Sequence, residues 1–317
     1  MGNKTKGYLL GAIAATTYGM NPLFALPLYA DGLSPDSVLF FRYILGSVIL
    51  GFMVWYKGFS FKITFKETVT LLFLGLLVAM SSLALFTSYT YMDAGIASTL
   101  LFVYPVMVAI IMAVFYKERI SLILTLGIAL SLLGIFLLYN NGNGATLSTK
   151  GTLIVMVSAL TYALYIVGVN KFGLSNMPTV KVSFWVLVFG FLLFAFRVLF
   201  YTDLQIPTKQ HSYLWISVFA LALLPTAISL LCTTSAVKYV GSTITAILGS
   251  LEPATAVFIG IIIFDEQLTL RDFIGLSLII TSVTIVVATN RISGYIIRLR
   301  KMFPSIKKHK QCGNIKG

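Results

Sequence analysis

Apolar residues recur along this chain in long unbroken runs, not in the period-two or 3.6-residue alternations of half-buried strands and amphipathic helices. Runs of this kind lie at about 8–29, 38–56, 68–91, 95–116, 120–139, 151–170, 182–201, 213–236, 242–264 and 272–289. Each is close to the ~20 helical residues that cross a hydrocarbon core of about 30 Å. The pattern predicts ten transmembrane helices joined by short loops, with no stretch outside them long enough for a separate soluble domain. Lys4 and Lys6 precede the first run, and Ala12 and Ala14 make an Ala-x-Ala match to a signal-peptidase site. Cleavage there would leave only a few apolar residues ahead of it, so the stretch from Tyr8 to Tyr29 is expected to remain as the first span.

Composition sharpens this picture. The chain has 317 residues, 58% hydrophobic and 10% charged, with a mean hydropathy of +0.94, whereas soluble domains carry roughly 25% charged residues. A soluble globule is excluded, and so is a single anchor, because the apolar excess runs nearly end to end. The net charge of +13 comes from 23 Lys and Arg against 10 Asp and Glu. It punctuates the apolar runs and does not form a patch for nucleic acid. With the N-terminus inside, Lys57, Lys62, Lys66, Lys117, Arg119, Lys171, Lys181, Lys238 and the basic tail share one side. The other side receives Arg42, Lys150, Arg197, Lys209 and Arg271, together with all six aspartates and Glu266. Both termini are therefore expected in the cytoplasm, and the span pattern suits a bacterial-type plasma (inner) membrane.

The connection from Asn140 to Lys150 is the clearest turn-rich stretch and separates five runs from five. At the offset that sets Pro105 on Pro253, Ile111 meets Ile259, Glu118 meets Glu266, Leu122 meets Leu270, Gly127 meets Gly275 and Leu130 meets Leu278. Slightly different offsets bring Tyr18 to Tyr162, Ala15 to Ala159 and Gly95 to Gly241. The chain is thus divided into a first five-helix repeat (1–145), a second (146–290) and a basic cytoplasmic tail (291–317). Because five is odd, the second repeat must enter the membrane from the opposite side. The fold class expected is an all-α integral membrane protein of ten helices in two inverted repeats, an arrangement that can supply inward-open and outward-open states.

The segments from Gly95 to Leu138 and from Gly241 to Val286 resemble the EamA-type repeat of the drug/metabolite transporter superfamily. The second carries Ser-Ala-Val-Lys-Tyr-Val-Gly at 235–241, Glu252-Pro253, Asp-Glu-Gln-Leu-Thr at 265–269 and Gly275; the first helix carries Tyr18-Gly19-Met20-Asn21. Tyr18 stands where a tryptophan is usual, and Tyr116-Lys117 precede Glu118 where a small residue would be typical. The resemblance covers about residues 8–289 and implies a ten-helix carrier of small metabolites, often an exporter of amino acids or related compounds, with a cavity between the halves.

Candidate functional residues follow from polarity inside hydrocarbon. Glu252 is the single carboxylate deep within a span. An isolated charge there costs about 2.5–3.5 kcal/mol on insertion scales, so it must face protein or water, or carry a proton. It is either a proton carrier in the substrate path or a structural hydrogen-bonding group. Thr245, Gly249 and Thr255 share its face at helical spacing. Tyr18, Asn21, Tyr104, Tyr162 and Tyr165 form an aromatic and polar set at similar depths of the two halves, suited to stacking on and orienting a small solute, with packing as the alternative. Pro22, Pro105 and Pro253 each remove a backbone donor in a span, and read as hinges or kinks. Arg42, about a turn inside its span, is expected to snorkel to the outer surface; facing inward, it would meet Asp31, Asp36 or a substrate carboxylate. Glu118 and Glu266 mark helix ends and are read as structural.

No catalytic set, Walker loop or dinucleotide fingerprint occurs, and His211, His309, Cys232 and Cys312 lack metal-ligand spacing, so no cofactor and no metal are expected. The partners expected are a small-molecule substrate and the bilayer, without nucleic acid, and with a homodimer left open. The function expected is secondary transport by alternating access of an amino acid, amine or drug-like compound, as export, facilitative or proton-coupled. A sugar or nucleotide-sugar carrier of the same fold, or a membrane-embedded enzyme or scaffold, are the alternatives.

Overall fold

A computed structural model describes residues 2–92, 94–118, 122–139, 148–174, 176–207, 213–264, 270–271 and 273–285. Among these residues all regular structure is helical. Six helical stretches are long and apolar enough to cross a membrane: Asn3–Ala30, Pro35–Tyr56, Phe65–Ser88, Thr149–Lys171, Thr179–Phe200 and Tyr213–Val240. The remaining apolar runs carry shorter helical pieces. In chain order the elements are α1 (Asn3–Tyr18), α2 (Asn21–Ala30), α3 (Pro35–Tyr56), α4 (Phe65–Ser88), α5 (Ala94–Leu101), α6 (Tyr104–Tyr116), α7 (Leu122–Tyr139), α8 (Thr149–Lys171) and α9 (Thr179–Phe200). They continue with α10 (Tyr213–Ala222), a wide π turn (Leu223–Ile228), α11 (Ser229–Val240), α12 (Ser242–Leu248), α13 (Leu251–Phe264) and α14 (Phe273–Ile285). The Asn140–Lys150 connection falls largely outside the described residues, as do Glu266, His211 and the tail.

The outer faces carry exposed Phe52, Trp55, Phe65, Leu133, Phe136, Leu153, Leu199, Ile216 and Phe258. Apolar exposure on that scale is intelligible only if lipid covers it. This is an integral membrane protein.

The prolines interrupt helices and do not merely bend them. Tyr18 ends α1, Gly19 and Met20 turn the chain, and Pro22 is the second residue of α2, where its missing N–H costs nothing. In the same way α5 stops at Leu101 and Pro105 is the second residue of α6, while α12 stops at Leu248 and Pro253 is the third residue of α13. Pro225 lies in the π turn; lacking an N–H, it cannot close a bond to Leu221, and the hydroxyl of Thr226 donates to that carbonyl instead at 2.8 Å. Gly241, at φ +86° between α11 and α12, adopts a conformation that only glycine holds without strain.

Helices pack in antiparallel pairs through small residues, as expected where lipid removes the hydrophobic drive between helices. Between α3 and α9, Asp36 pairs with Arg197 at 2.5 Å at one end, Gly190 admits the Tyr43 ring in the middle, and Gly51 admits Phe184 at the other end. Ser158 on α8 donates to the Ser81 carbonyl of α4 at 2.7 Å, and Ser229 on α11 donates to the Ala14 carbonyl of α1 at 3.0 Å. On α14, Ser282 donates to the Gly127 carbonyl of α7 at 2.5 Å, while Gly134 of α7 faces the Gly275 carbonyl. At Gly75 of α4 an added Cβ would stand 2.8 Å from the Val186 carbonyl and 3.0 Å from the Gly190 nitrogen of α9. That neighbour is backbone and cannot swing away. Gly75→Ala is therefore expected to push α4 from α9 and destabilise the protein by about 1–3 kcal/mol, the usual cost of overpacking, read as a lower unfolding midpoint in detergent.

Candidate functional site

Three helix interruptions are linked by close contacts. A Cβ built on Gly19 would reach the Glu252 carbonyl, and one on Gly249 would collide with the Tyr104 hydroxyl, so the α12/α13 break touches both the α1/α2 and the α5/α6 break. Backbone that leaves the helical ladder at membrane depth persists only where protein covers it or a cavity receives it.

Tyrosines fill the space between them. Tyr18 stacks on Tyr162 of α8 with centroids 6.0 Å apart and planes 14° apart. Tyr104 meets Tyr162 edge-on at 4.9 Å, and Tyr165 stacks behind Tyr162 at 6.1 Å. The Tyr104 hydroxyl donates to the Ala246 carbonyl at 3.3 Å. Thr234 donates to the Leu230 carbonyl and so accepts from Tyr165 and Ser183, each at 3.1 Å.

The Tyr18–Tyr162 stack divides two cavities that both reach Thr233. One, of about 10 Å³, is bordered by Tyr104, Thr245, Gly249 and Glu252. The other, of about 20 Å³, is bordered by Arg42, Tyr43, Ser81, Ser82, Thr226 and Ser229. Small-molecule sites occupy roughly 300–1,000 Å³. Each cavity has room for about one water, so in this state the space between the halves is closed to a solute of that class.

Glu252 is 6% exposed and sits in the first turn of α13, the end at which aligned peptide dipoles favour negative charge. Among the described residues its carboxyl meets no ion-pair partner. Of the residues selected from sequence, Tyr18, Tyr104, Tyr162, Thr245, Gly249 and Glu252 come together around one cavity. Tyr165 stands one layer behind. Thr255 does not join them: the break at Gly249 and Ser250 rotates α13 relative to α12, so the helical spacing does not carry through. Thr255 packs towards Gly19 and borders an apolar lateral cleft with Phe258 and Ile280. Glu118 is exposed just beyond the end of α6, and Glu266 lies outside the described residues.

Arg42 does not snorkel. It is 2% exposed: Nε donates to Thr226 Oγ1 at 2.5 Å, Nη1 to Asn21 Oδ1 at 3.0 Å and Nη2 to the Pro225 carbonyl at 3.2 Å. Its guanidinium carbon lies 5.1 Å from the Phe86 centroid and 5.9 Å from that of Tyr18. Asp36, one of the two aspartates within reach in sequence, is taken by Arg197. Removing a cation from water costs several kcal/mol. Three hydrogen bonds to a charged group at about 1.5–3 kcal/mol each, with cation–π contacts worth up to about 2 kcal/mol, offset that cost without a counter-charge. The inward turn is therefore affordable because the π turn exposes acceptors at Pro225 and Thr226. The signal in the sequence was the spacing of Thr226, Ser229 and Thr233, a polar stripe at three and four residues within an apolar run.

With this geometry, comparison with known proteins is informative. The sequence profile of the EamA-like transporter family matches residues 5–140 and again residues 149–288. The chain belongs to the EamA-like transporter family. It is 24% identical over 298 residues to the uncharacterised inner membrane transporter YicL of Salmonella typhimurium, covering 92% of this chain and 98% of that one. It is also 25% identical over 256 residues to the uncharacterised transporter YdfC of Bacillus subtilis, covering 77% and 79%. A solved crystal structure, described only as that of a protein, superposes with a TM-score of 0.77 over 90% of this chain and 98% of its own at 17% identity, a likeness of fold.

Among EamA-like chains this one offers a direct check of its central contact. Gly249→Ala is expected to displace the Tyr104 ring from Ala246 and lower the unfolding midpoint. Adding Tyr104→Phe should recover part of that loss, because the clashing atom is the hydroxyl. A double-mutant cycle without coupling would show that the two residues do not touch.

Proposed function

We propose that this chain is a secondary carrier that moves a small organic metabolite across a bacterial-type inner membrane by alternating access, through ten spans arranged as two inverted five-helix repeats. The observation that carries this reading is a two-fold pattern in the helix contacts. Under the equivalence that sets Gly127 on Gly275, Gly134 falls on Ser282. The Gly127–Ser282 and Gly134–Gly275 contacts are then one contact repeated with the partners exchanged, as a two-fold axis between the repeats would require. The same exchange turns the α1·α11 pairing into α8·α4, and both pairings are present and antiparallel. It also relates the α5/α6 break to the α12/α13 break, and the central cavities lie between the halves so related.

Charge supports an orientation with both termini in the cytoplasm. Lys181 donates to the Lys62 carbonyl, Lys238 to the Met177 carbonyl at 3.3 Å, and Lys171 lies over Tyr116 at 4.9 Å, so these basic residues gather at one end. Asp36, Arg197 and Gln205 meet around the start of α3 at the opposite end. The relatives' description as transporters, one of them of the inner membrane, agrees with this reading.

Rocking one repeat against the other about the contacting breaks would part Tyr18 from Tyr162 and merge the two cavities, with Pro22, Pro105 and Pro253 at the pivots. The aromatic walls and the two ionisable groups suit an amino acid, an amine or a drug-like compound. Glu252, buried beside Tyr104 and Tyr162, is assigned as the group that takes up a proton or a substrate cation.

Labelled solutes of these classes in proteoliposomes should show counterflow of unchanged solute without ATP. Chemical conversion of the solute would replace the carrier by an enzyme. Glu252→Gln is expected to slow exchange by about tenfold or more, or to abolish its pH dependence. Wild-type rate and pH profile in that variant would remove Glu252 from the path. A cysteine in the 140–150 connection should be labelled from the face opposite the C-terminal tail; labelling from the same face would overturn the inverted repeats.

A further inference from the structure

We infer that Arg42 is the anion-recognising residue of the transport site, and that the cargo therefore carries a carboxylate. This rests on the carrier reading above and narrows its substrate class.

The inference follows from a donor count. A guanidinium has five N–H donors in a fixed fork. Arg42 spends one on Thr226, one on Asn21 and one on the Pro225 carbonyl, leaving two without an acceptor among the described residues. Beside it, the Asn21 amide presents its oxygen to Arg42, while its buried nitrogen has no hydrogen-bond partner among the described residues. Among the described residues every group hydrogen-bonded to Arg42 is neutral, so its immediate shell holds surplus donors and one full positive charge. Buried donors without acceptors are rare in folded proteins, and a site of this composition is complementary to a group that brings two acceptor atoms and a negative charge. A carboxylate does so in the bidentate geometry that guanidinium favours. An amine brings donors to donors and is repelled.

The surroundings select among anions. The guanidinium lies against the faces of Phe86 and Tyr18, and the cavity wall mixes the hydroxyls of Tyr43, Ser81, Ser82 and Ser229 with the apolar side chains of Val78, Leu187 and Leu230. One cation with neutral hydroxyls matches a monovalent carboxylate better than a phosphate, which gathers several cations. Past the Tyr18–Tyr162 stack, the neighbouring cavity ends in Glu252. A cation and a carboxyl on opposite sides of a parting aromatic pair match a zwitterion with a flat or apolar side chain between the two poles.

The test uses purified full-length protein and a panel of the proteinogenic amino acids, each beside its carboxamide, with short carboxylic acids and inorganic phosphate added. Ligand-dependent thermal stabilisation and counterflow are both read. Carboxylate-bearing solutes are expected to stabilise and exchange, and the matched carboxamides to be at least tenfold weaker. Asn21→Asp separates this role from a structural one. It supplies Arg42 with a carboxylate in place of the amide oxygen, so it should keep or raise the unliganded melting temperature while abolishing carboxylate binding. Arg42→Lys, which keeps the charge but loses the fork, should weaken carboxylates by at least tenfold and narrow their margin over the matched carboxamides. Equal response to acids and carboxamides, response to phosphate alone, or unimpaired carboxylate exchange in Asn21→Asp would each overturn the assignment to Arg42 and leave the carrier standing. Absence of counterflow for every solute would overturn the carrier itself, and this inference with it.

Discussion

Hydrocarbon offers no hydrogen-bond partner, and that constraint governs the whole structure. Each backbone group in a span must be satisfied by its own helix, by another helix or by a polar side chain. Among the described residues the spans depart from this at four places: after Tyr18, after Leu101, in the π turn at Leu223–Ile228, and after Leu248. Contacts link the four: Gly19 meets the Glu252 backbone, Gly249 meets the Tyr104 hydroxyl, and Arg42 bridges Asn21 and Pro225. The carbonyls and side chains they release are the ones that hold Arg42 and border Glu252.

Breaks of this kind do two things at once. They supply the polar groups that a solute site in a membrane needs, and they divide spans into halves that can rotate separately. The Tyr18–Tyr162 stack closes the space between the halves, so the state described here is one in which the Arg42 and Glu252 cavities are separated. Small residues make the close approaches between spans possible: Gly75 against α9, Gly190 against Tyr43 and Gly134 against α14. The serine bonds Ser158 to Ser81 and Ser282 to Gly127 add directional contacts where lipid weakens apolar ones.

Two arginines on facing helices illustrate how context decides a charge. Arg197, near the end of α9, binds Asp36 at the molecular end, where water and lipid headgroups reduce the cost of both ions. Arg42, six residues along α3 from Asp36, is enclosed and bound by neutral acceptors alone. The first pair has settled its charges within the protein. Among the described residues no carboxylate pairs with the second arginine.

Much of this was legible before any coordinates. Length and hydropathy located the helical segments, because crossing about 30 Å of hydrocarbon is a requirement on local composition. Pro22, Pro105 and Pro253 announced the interruptions, because a missing N–H is a property of the residue itself. Glu252 and the tyrosines stood out for the same local reason, and six of the residues so chosen border one cavity. What the sequence could not decide was rotation about each helix axis. In a soluble helix the polar face points outward and reveals the inner one, but here lipid and protein are both apolar, and the pattern carries little directional signal. Only tertiary packing turned Arg42 inward, gave Asp36 to Arg197, and sent Thr255 away from Glu252 once the helix broke between them. Those outcomes depend on which acceptors neighbouring spans happen to expose, and no single segment contains that information.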